Sequence, residues 1–495
     1  MALRPTPPLV FVTLFAAAHV ASALLAPAHA AEALRFSLRM AAMAAFAWTV
    51  AAAPARARGA GLVALATAAG LVALLLVAEG VGVRGLDPFL NRFRESPFNV
   101  GGVRRATATT EYPNAAAAFL VYGIAAASGL VSRLARPLLA VVPSMLLLSL
   151  GLLYTYSRGA LLAAGVGLLT SWAALRRHDL TSSRQPLAAL AILTATTIAF
   201  SAGGEVFRLR LVAEGWGTYY QAAYRAAENP LRLRPGETRT TAVELTNTGT
   251  KTWSAAEAFH LSHHWRRADG NMLRFEGDRT TLTRDLPPGE SLIVQARVVA
   301  PSQEGRYALD WDMVHEHTTW FSEQGVPVAR VAAIVEGVAA PPLEAKAQPG
   351  RLVPPDAQWR PGRAELWSLA LAMWGQRPLL GVGSDNFRRL YGPVAGKKTW
   401  DARVYANNTL IEVAATTGLV GLAAFVALLA ACARAGWQHL QGASEPWDRA
   451  VGAALLAAFA AIVAHGVLDY FLAFTGHYLV FGFIAGALGT RAQAR

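Results

Sequence analysis

The chain has 495 residues, 54% of them apolar and only 16% charged, where an ordinary soluble domain carries about 25% charge. That deficit excludes a simple soluble protein and points to a bilayer. Lys and Arg number 45 against 32 Asp and Glu, a net charge of +13; much of the excess sits in short loops beside apolar runs, where it orients helices against anionic lipid rather than binding nucleic acid.

In chain order, stretches apolar enough to cross about 30 Å of hydrocarbon, which takes roughly 20 residues, predict spans near 9–30, 35–53, 59–80, 114–132, 137–156, 159–175, 186–203, 409–432, 450–468 and 471–489. The expected fold is a polytopic α-helical membrane protein of roughly ten transmembrane helices. The first segment also fits a cleavable signal peptide, with Arg4, an apolar run and Ala28-His29-Ala30. With or without cleavage, the next span begins outside.

Charge orders the loops. With a cytoplasmic N-terminus, the inner connections hold Arg56 and Arg58, then Arg133 and Arg136, then Arg176, Arg177 and Arg184, then Arg434 and Arg449, and last Arg491 and Arg495. This is the positive-inside pattern. Arg35 and Arg39 dissent at the outer end of the second span. The outer connections become 81–113, the tight turn at Ser157-Arg158, and the long segment 204–408.

Residues 229–335 change character. Val243 and Leu245; Phe259, Leu261, His263 and Trp265; Leu292, Val294, Ala296 and Val298; and Tyr307, Leu309, Trp311 and Met313 alternate with polar residues. A period of two predicts strands with one buried face. Turn residues at Arg234-Pro235-Gly236-Glu237, Asn247-Thr248-Gly249, Pro287-Pro288-Gly289-Glu290 and Glu304-Gly305 separate them, the pattern of an all-β immunoglobulin-like sandwich inserted in the large outer loop. Trp253, Trp265, Trp311 and Trp320 alternate as core positions should. His263, His264, His315 and His317 form no recognised metal-ligand spacing.

Residues 336–362 read as a Pro/Ala-rich linker. Residues 363–376 follow as a Trp-bearing amphipathic helix suited to the membrane interface, then a Gly-punctuated loop. The predicted organisation is an N-terminal transmembrane bundle over 1–203, the sandwich over 229–335, the linker, an interfacial helix and outer loop over 363–408, and C-terminal transmembrane helices over 409–495. The single cysteine, Cys432, lies in an apolar run and permits no intrachain disulfide.

Arg158 is the most informative residue. It sits in a tight outer turn, against the charge bias and close to hydrocarbon, where a cation is expensive. It either snorkels to lipid phosphate or presents a fork of donors to a phosphate or diphosphate. Asn407, Asn408 and Glu412 lie at the mouth of the eighth span; one asparagine caps the helix or their amides bind sugar hydroxyls. Asp469 is divided between interfacial solvation and pairing with an outer arginine.

Tyr156-Ser157-Arg158-Gly159-Ala160-Leu161-Leu162, Arg377-Pro378-Leu379-Leu380-Gly381-Val382-Gly383, and Asn408 followed after nine residues by Gly418-Leu419-Val420-Gly421 together resemble the O-antigen ligase/polymerase superfamily. Tyr112-Pro113-Asn114 and His465-Gly466-Val467-Leu468-Asp469-Tyr470 fit as well. The resemblance covers nearly all the membrane part. It implies a bacterial inner-membrane protein with its site and insert on the outer side, acting as a metal-independent inverting glycosyltransferase without a cofactor. The implied donor is a glycan on undecaprenyl diphosphate, and the acceptor another glycan, a lipid core or a protein. Ser157 and Arg158 carry over as diphosphate-binding residues, Arg363 less securely, with Arg104 and Arg105 as weaker candidates. Ligases of this superfamily place a histidine immediately before the spacer asparagine; here that position is Asn407, and a second expected position holds Tyr405. Tyr405 or His465 then stands in as base, with Asn407 and Asn408 on the acceptor side and Asp469 nearby. An unperturbed phenol near pKa 10 is a poor base at neutral pH. The alternative is a non-catalytic membrane protein presenting the sandwich as a glycan- or partner-binding module.

Overall fold

The computed structural model describes residues 5–83, 85–94, 98–100, 103–131, 137–177, 182–204, 207, 219–257, 259–316, 319–322, 326–337, 361–397 and 400–490. Arg4, Arg133, Arg136, Arg491, Arg495, His317 and the linker residues 338–360 lie outside them.

All ten apolar segments form helices: α1 (Pro7–Leu24), α2 (Ala30–Ala52), α3 (Ala55–Gly80), then, after the one-turn α4 (Asp87–Leu90) and the hairpin β1 (Phe98–Val100) and β2 (Val103–Arg105), α5 (Pro113–Leu130), α6 (Pro137–Tyr154), α7 (Arg158–Arg176) and α8 (Arg184–Gly203). Beyond the sandwich come α9 (Arg363–Gln376), α10 (Phe387–Val394), α11 (Thr409–Gly442), α12 (Pro446–Gly466) and α13 (Thr475–Leu488). Seven of them are long and apolar enough to cross a membrane, and α6 and α13 are shorter apolar helices. Helix α2, which carries Glu32, Arg35 and Arg39, falls outside both groups. Prolines open α1, α5 and α12, where a missing N–H has no intrahelical partner to lose.

The helical unit has two unlike ends. Hydrogen bonds join the connections at one of them: Arg377 to Leu25 O at 2.9 Å, Asn386 to Ala28 O at 2.8 Å, and Ala106 N to Tyr154 O at 2.8 Å. At this loop-rich end the buried Glu79 carboxylate holds Arg94 and accepts from Thr107 N and Ala108 N, both at 2.9 Å. The other end carries Arg56, Arg58, Arg176, Arg177, Arg184, Arg434 and Arg449. There Arg58 donates to Thr490 at 2.9 Å, and Arg177 lies 4.6 Å from the Trp437 ring centre.

Helix α11 is broken at Gly418, whose φ of 64° and ψ of −161° no helix contains. The loop 377–383 repairs the break by backbone pairing. Val382 N donates to Ala415 O at 2.9 Å, Gly383 N to Thr416 O at 3.1 Å, Leu419 N to Pro378 O at 2.7 Å and Val420 N to Leu379 O at 3.2 Å. Without these bonds the exposed amides would be stranded in a low-dielectric interior. The approach is so close that a Cβ on Gly418 would sit 2.3 Å from the Leu379 backbone, and one on Gly381 would sit 2.4 Å from that of Thr416.

The insert is a unit of its own, a two-sheet β-sandwich. One sheet pairs β3 (Ala222–Ala226), β5 (Thr238–Asn247) and β9 (Ser291–Val299); the other runs β4 (Leu231–Leu233), β12 (Ala329–Val335), β10 (Gly305–His315), β6 (Phe259–Arg267) and β7 (Met272–Arg274), with β8 (Thr280–Thr281) on β6 and β11 (Thr319–Trp320) on β10. Register places Leu261, His263 and Trp265 beside Met313, Trp311 and Leu309, and these face Val243, Leu245, Val294, Ala296 and Val298 in the core. All four sandwich tryptophans are buried. On the outer face Asp310 accepts from Arg266 Nε at 2.7 Å and Arg330 Nε at 2.6 Å, tying β6, β10 and β12 together.

Two outcomes follow. Gly418→Ala is expected to lower the thermal unfolding temperature of the detergent-purified chain by several degrees, a cost of at least about 2 kcal/mol. Gly165→Ala, which faces open space within its helix, leaves it unchanged or higher. In the sandwich, burial pushes the His263 imidazole from 6.5 down to about 3. The unfolded chain therefore takes up a proton that the folded one refuses. Stability is whole above pH 6.5 and falls by roughly 1.4 kcal/mol per pH unit below it, levelling off near 3. Hydrogen–deuterium exchange over 259–267, corrected for intrinsic rates, should quicken between pH 7 and 5, and His263→Leu should flatten that response.

Candidate functional site

The starts of α7, α9 and α11 and the end of α12 meet at the loop-rich end of the helical unit. Asn408 makes the central junction. As the cap of α11 its Oδ1 accepts from Ile411 N at 3.1 Å, the local bond that lets an asparagine begin a helix. Its Nδ2 donates to Val467 O at 3.0 Å, just past α12. Thr409 Oγ1 adds a bond to Asp469 O at 2.9 Å. The start of α11 is thereby fastened to the segment 465–469.

Two cations border that segment. Ser157, at the N-cap position of α7, is buried, and Gly159 lies against Leu468, so the turn carries Arg158 to the edge of the junction. Arg158 is half-buried and has no hydrogen-bond or ion-pair partner among the described residues. Arg363, exposed at the start of α9, also has none. It acts electrostatically on His465, as does Asp469. His465 is 3% exposed, and its Nδ1 is enclosed without a partner among the described residues. Asp469 Oδ1 accepts from Tyr470 N at 2.8 Å. Asn407 holds a left-handed φ of 53°, and its amide has no partner among the described residues.

Other sequence candidates are engaged within the fold. Arg105 is buried, donating to Thr155 O at 2.9 Å and to Asn114 Oδ1 at 2.8 Å. Its guanidinium anchors the first long loop rather than standing open. Arg104 precedes it on β2. Tyr405 donates to Asp385 Oδ1 at 3.2 Å and packs 5.2 Å from the Tyr470 ring. Burial pushes its phenol well above 10, and the Asp385 carboxylate pushes it further. A phenol in that setting holds its proton.

Sequence reasoning missed the group that positions this loop. Asp385, with φ 63° and 5% exposed, grips Arg388 through bonds of 2.9 and 2.8 Å and Arg389 through one of 2.6 Å. Arg388 also donates to Ala402 O at 2.9 Å. Burial alone would weaken the Arg388 guanidinium, but its bonds to Asp385 outweigh that and hold it charged. The fully buried Glu412 accepts from Ala406 N at 2.7 Å, fixing the strip that presents Asn407. The i, i+3 and i, i+4 spacing from Asp385 to Arg388 and Arg389 was a readable signal.

The bundle with its repaired helix break, the polar junction and the separate sandwich describe a multi-pass α-helical membrane protein with a β insert. Residues 354–426 of the chain match the family model for O-antigen ligase, a stretch that contains α9, the repair loop and the break in α11. Residues 228–326 match the model for the Ig-like domain from next to the BRCA1 gene. No curated protein matches the chain.

Tyr405→Phe removes one hydrogen bond to Asp385 and no working base. In a glycan-transfer assay it should keep turnover within about threefold of wild type, whereas a base would cost a hundredfold or more, about two orders of magnitude.

Proposed function

We propose that this protein is a metal-independent inverting glycosyltransferase of the O-antigen ligase or polymerase type. It moves a glycan from a polyprenyl diphosphate to a hydroxyl of a cell-envelope acceptor at the outer face of the bacterial cytoplasmic membrane. The observation that carries this reading is Arg158, a half-buried guanidinium without a hydrogen-bond or ion-pair partner among the described residues. Such a cation is costly at a bilayer edge unless an anion meets it, and guanidinium forks suit diphosphate oxygens. The basic residues gathered at the opposite end support an outward orientation for the junction.

The chemistry asks little beyond these parts. Diphosphate is a good leaving group, so the residues need to stabilise charge on the departing oxygen and to place the acceptor. Arg158 and Arg363 serve the first need. Asn407 faces the acceptor, Asn408 positions it, and His465 takes the hydroxyl proton, as a histidine can near neutral pH. Asp469 then faces the imidazolium that results.

Purified full-length protein is tested with a polyprenyl-diphosphate-linked glycan and an acceptor. Arg158→Ala should lose about two to three orders of magnitude in turnover. Arg158→Lys, which keeps the charge but not the fork, should fall between. Full turnover by Arg158→Ala would remove the central assignment.

A further inference from the structure

Inside the helical unit, three of the buried polar atoms that lack partners among the described residues stand on three different helices. They are Tyr122 Oη on α5, His465 Nδ1 on α12 and His477 Nδ1 on α13. All three side chains are nearly or fully buried, at 0%, 3% and 3% exposure. Helices α5 and α12 pack together beside them, Ala125 and Ala461 both lying against Gly167, about one turn from Tyr122 and His465. Tyr122 and His477 meet edge to face with centres 5.5 Å apart, and His465 acts electrostatically on His477. Asp469 acts on all three. Leaving such groups unpaired in an apolar interior is costly, and ionisable residues within a membrane bundle mark functional paths.

Tautomer logic gives the cluster a direction. His477 Nε2 lies 2.9 Å from Ala115 O. A carbonyl only accepts, so Nε2 carries the hydrogen and Nδ1 of neutral His477 bears a lone pair. His465 poses the complementary need. Its Nδ1 is enclosed, so a base working at the polar junction must use Nε2 and keep its hydrogen on Nδ1, where an acceptor has to meet it.

We propose that His477 is a positioning residue for the transfer. Its Nδ1 lone pair accepts the Nδ1 hydrogen of His465 through one water shared with Tyr122, and leaves His465 Nε2 free toward the acceptor hydroxyl. This rests on the glycosyl-transfer reading. In the step, the acceptor oxygen bonds to the anomeric carbon as that carbon's bond to the diphosphate oxygen breaks. The electron pair leaves with the diphosphate on its lipid. The hydroxyl proton passes to His465 Nε2, and the imidazolium rests between His477 and the Asp469 carboxylate. The arrangement is that of a histidine base oriented by a third group, with an imidazole as orienter.

The test uses the full chain in lipid nanodiscs. With 15N-labelled histidine, the signal missing from His465→Gln identifies His465 among the 11 histidines. The expected resting state is a single tautomer protonated at Nδ1. His477→Phe should abolish that preference and lower kcat by about tenfold or more, with KM for the lipid-linked donor held within about twofold. His477→Asn places a carboxamide oxygen where Nδ1 stood and should recover kcat to within about threefold, which a packing role would not allow. His465 protonated at Nε2 in the wild type, or unchanged kcat in folded His477→Phe, overturns the proposal. A wild type that transfers no glycan defeats the glycosyl-transfer reading instead, while the resting tautomer still decides the histidine pair.

Discussion

The backbone pairing between loop 377–383 and the break at Gly418 sets the position of everything around the polar junction. A helix interrupted in an apolar interior strands amides and carbonyls that lipid cannot satisfy. Here Pro378, Leu379, Val382 and Gly383 supply the missing partners. Side chains lock the same region: Ser22 Oγ donates to Thr416 O at 2.6 Å, and His19 Nδ1 lies 2.7 Å from Ser384 Oγ. The outer piece of α11 is therefore rigidly placed. With it go Asn408, its bond to Val467, and the whole approach of segment 465–469.

Around that fixed piece, charge is handled in two ways. Most arginines of the loop-rich end are absorbed: Arg94 by Glu79 and Asp87, Arg105 by Thr155 and Asn114, and Arg388 and Arg389 by Asp385. Arg158 and Arg363 have no such partner among the described residues. The contrast makes the latter pair informative, because the fold had carboxylates and carbonyls within its repertoire and used them elsewhere. A cation left bare beside absorbed ones is suited to an anion that arrives and departs.

Much of the architecture was legible in the chain. Apolar runs located every long helix, because burial in lipid or protein selects composition over whole windows. Period-two alternation located β5, β6, β9 and β10, and Leu261, Trp265, Trp311 and Met313 are buried as that alternation requires. Boundaries and breaks were harder. Helix α11 runs to Gly442 rather than stopping near 432, and its interruption at Gly418 lies in an unbroken apolar run. Hydropathy carries no φ angle, and the strands of loop that repair the break come from about 35 residues earlier, a nonlocal choice. For the same reason the sequence named Arg105 and Tyr405 without showing that Thr155, Asn114 and Asp385 would engage them. Its most direct missed hint was His477, an ionisable residue inside a predicted span.

Since Gly418 resets the backbone direction, α11 is two rods with different neighbours. Above the bend, Glu412 to Thr417 are buried on every side. Below it, Gly421, Phe425, Leu428, Cys432, Gly436 and Leu440 form one inward stripe, while Leu419, Val420 and Val426 turn outward. The outward apolar surface of α11 therefore lies mainly on the lower rod, with Leu410 the exposed exception above the bend. Changes in bilayer thickness therefore bear chiefly on the lower rod, while the stretch from Glu412 to Thr417 is shielded by protein.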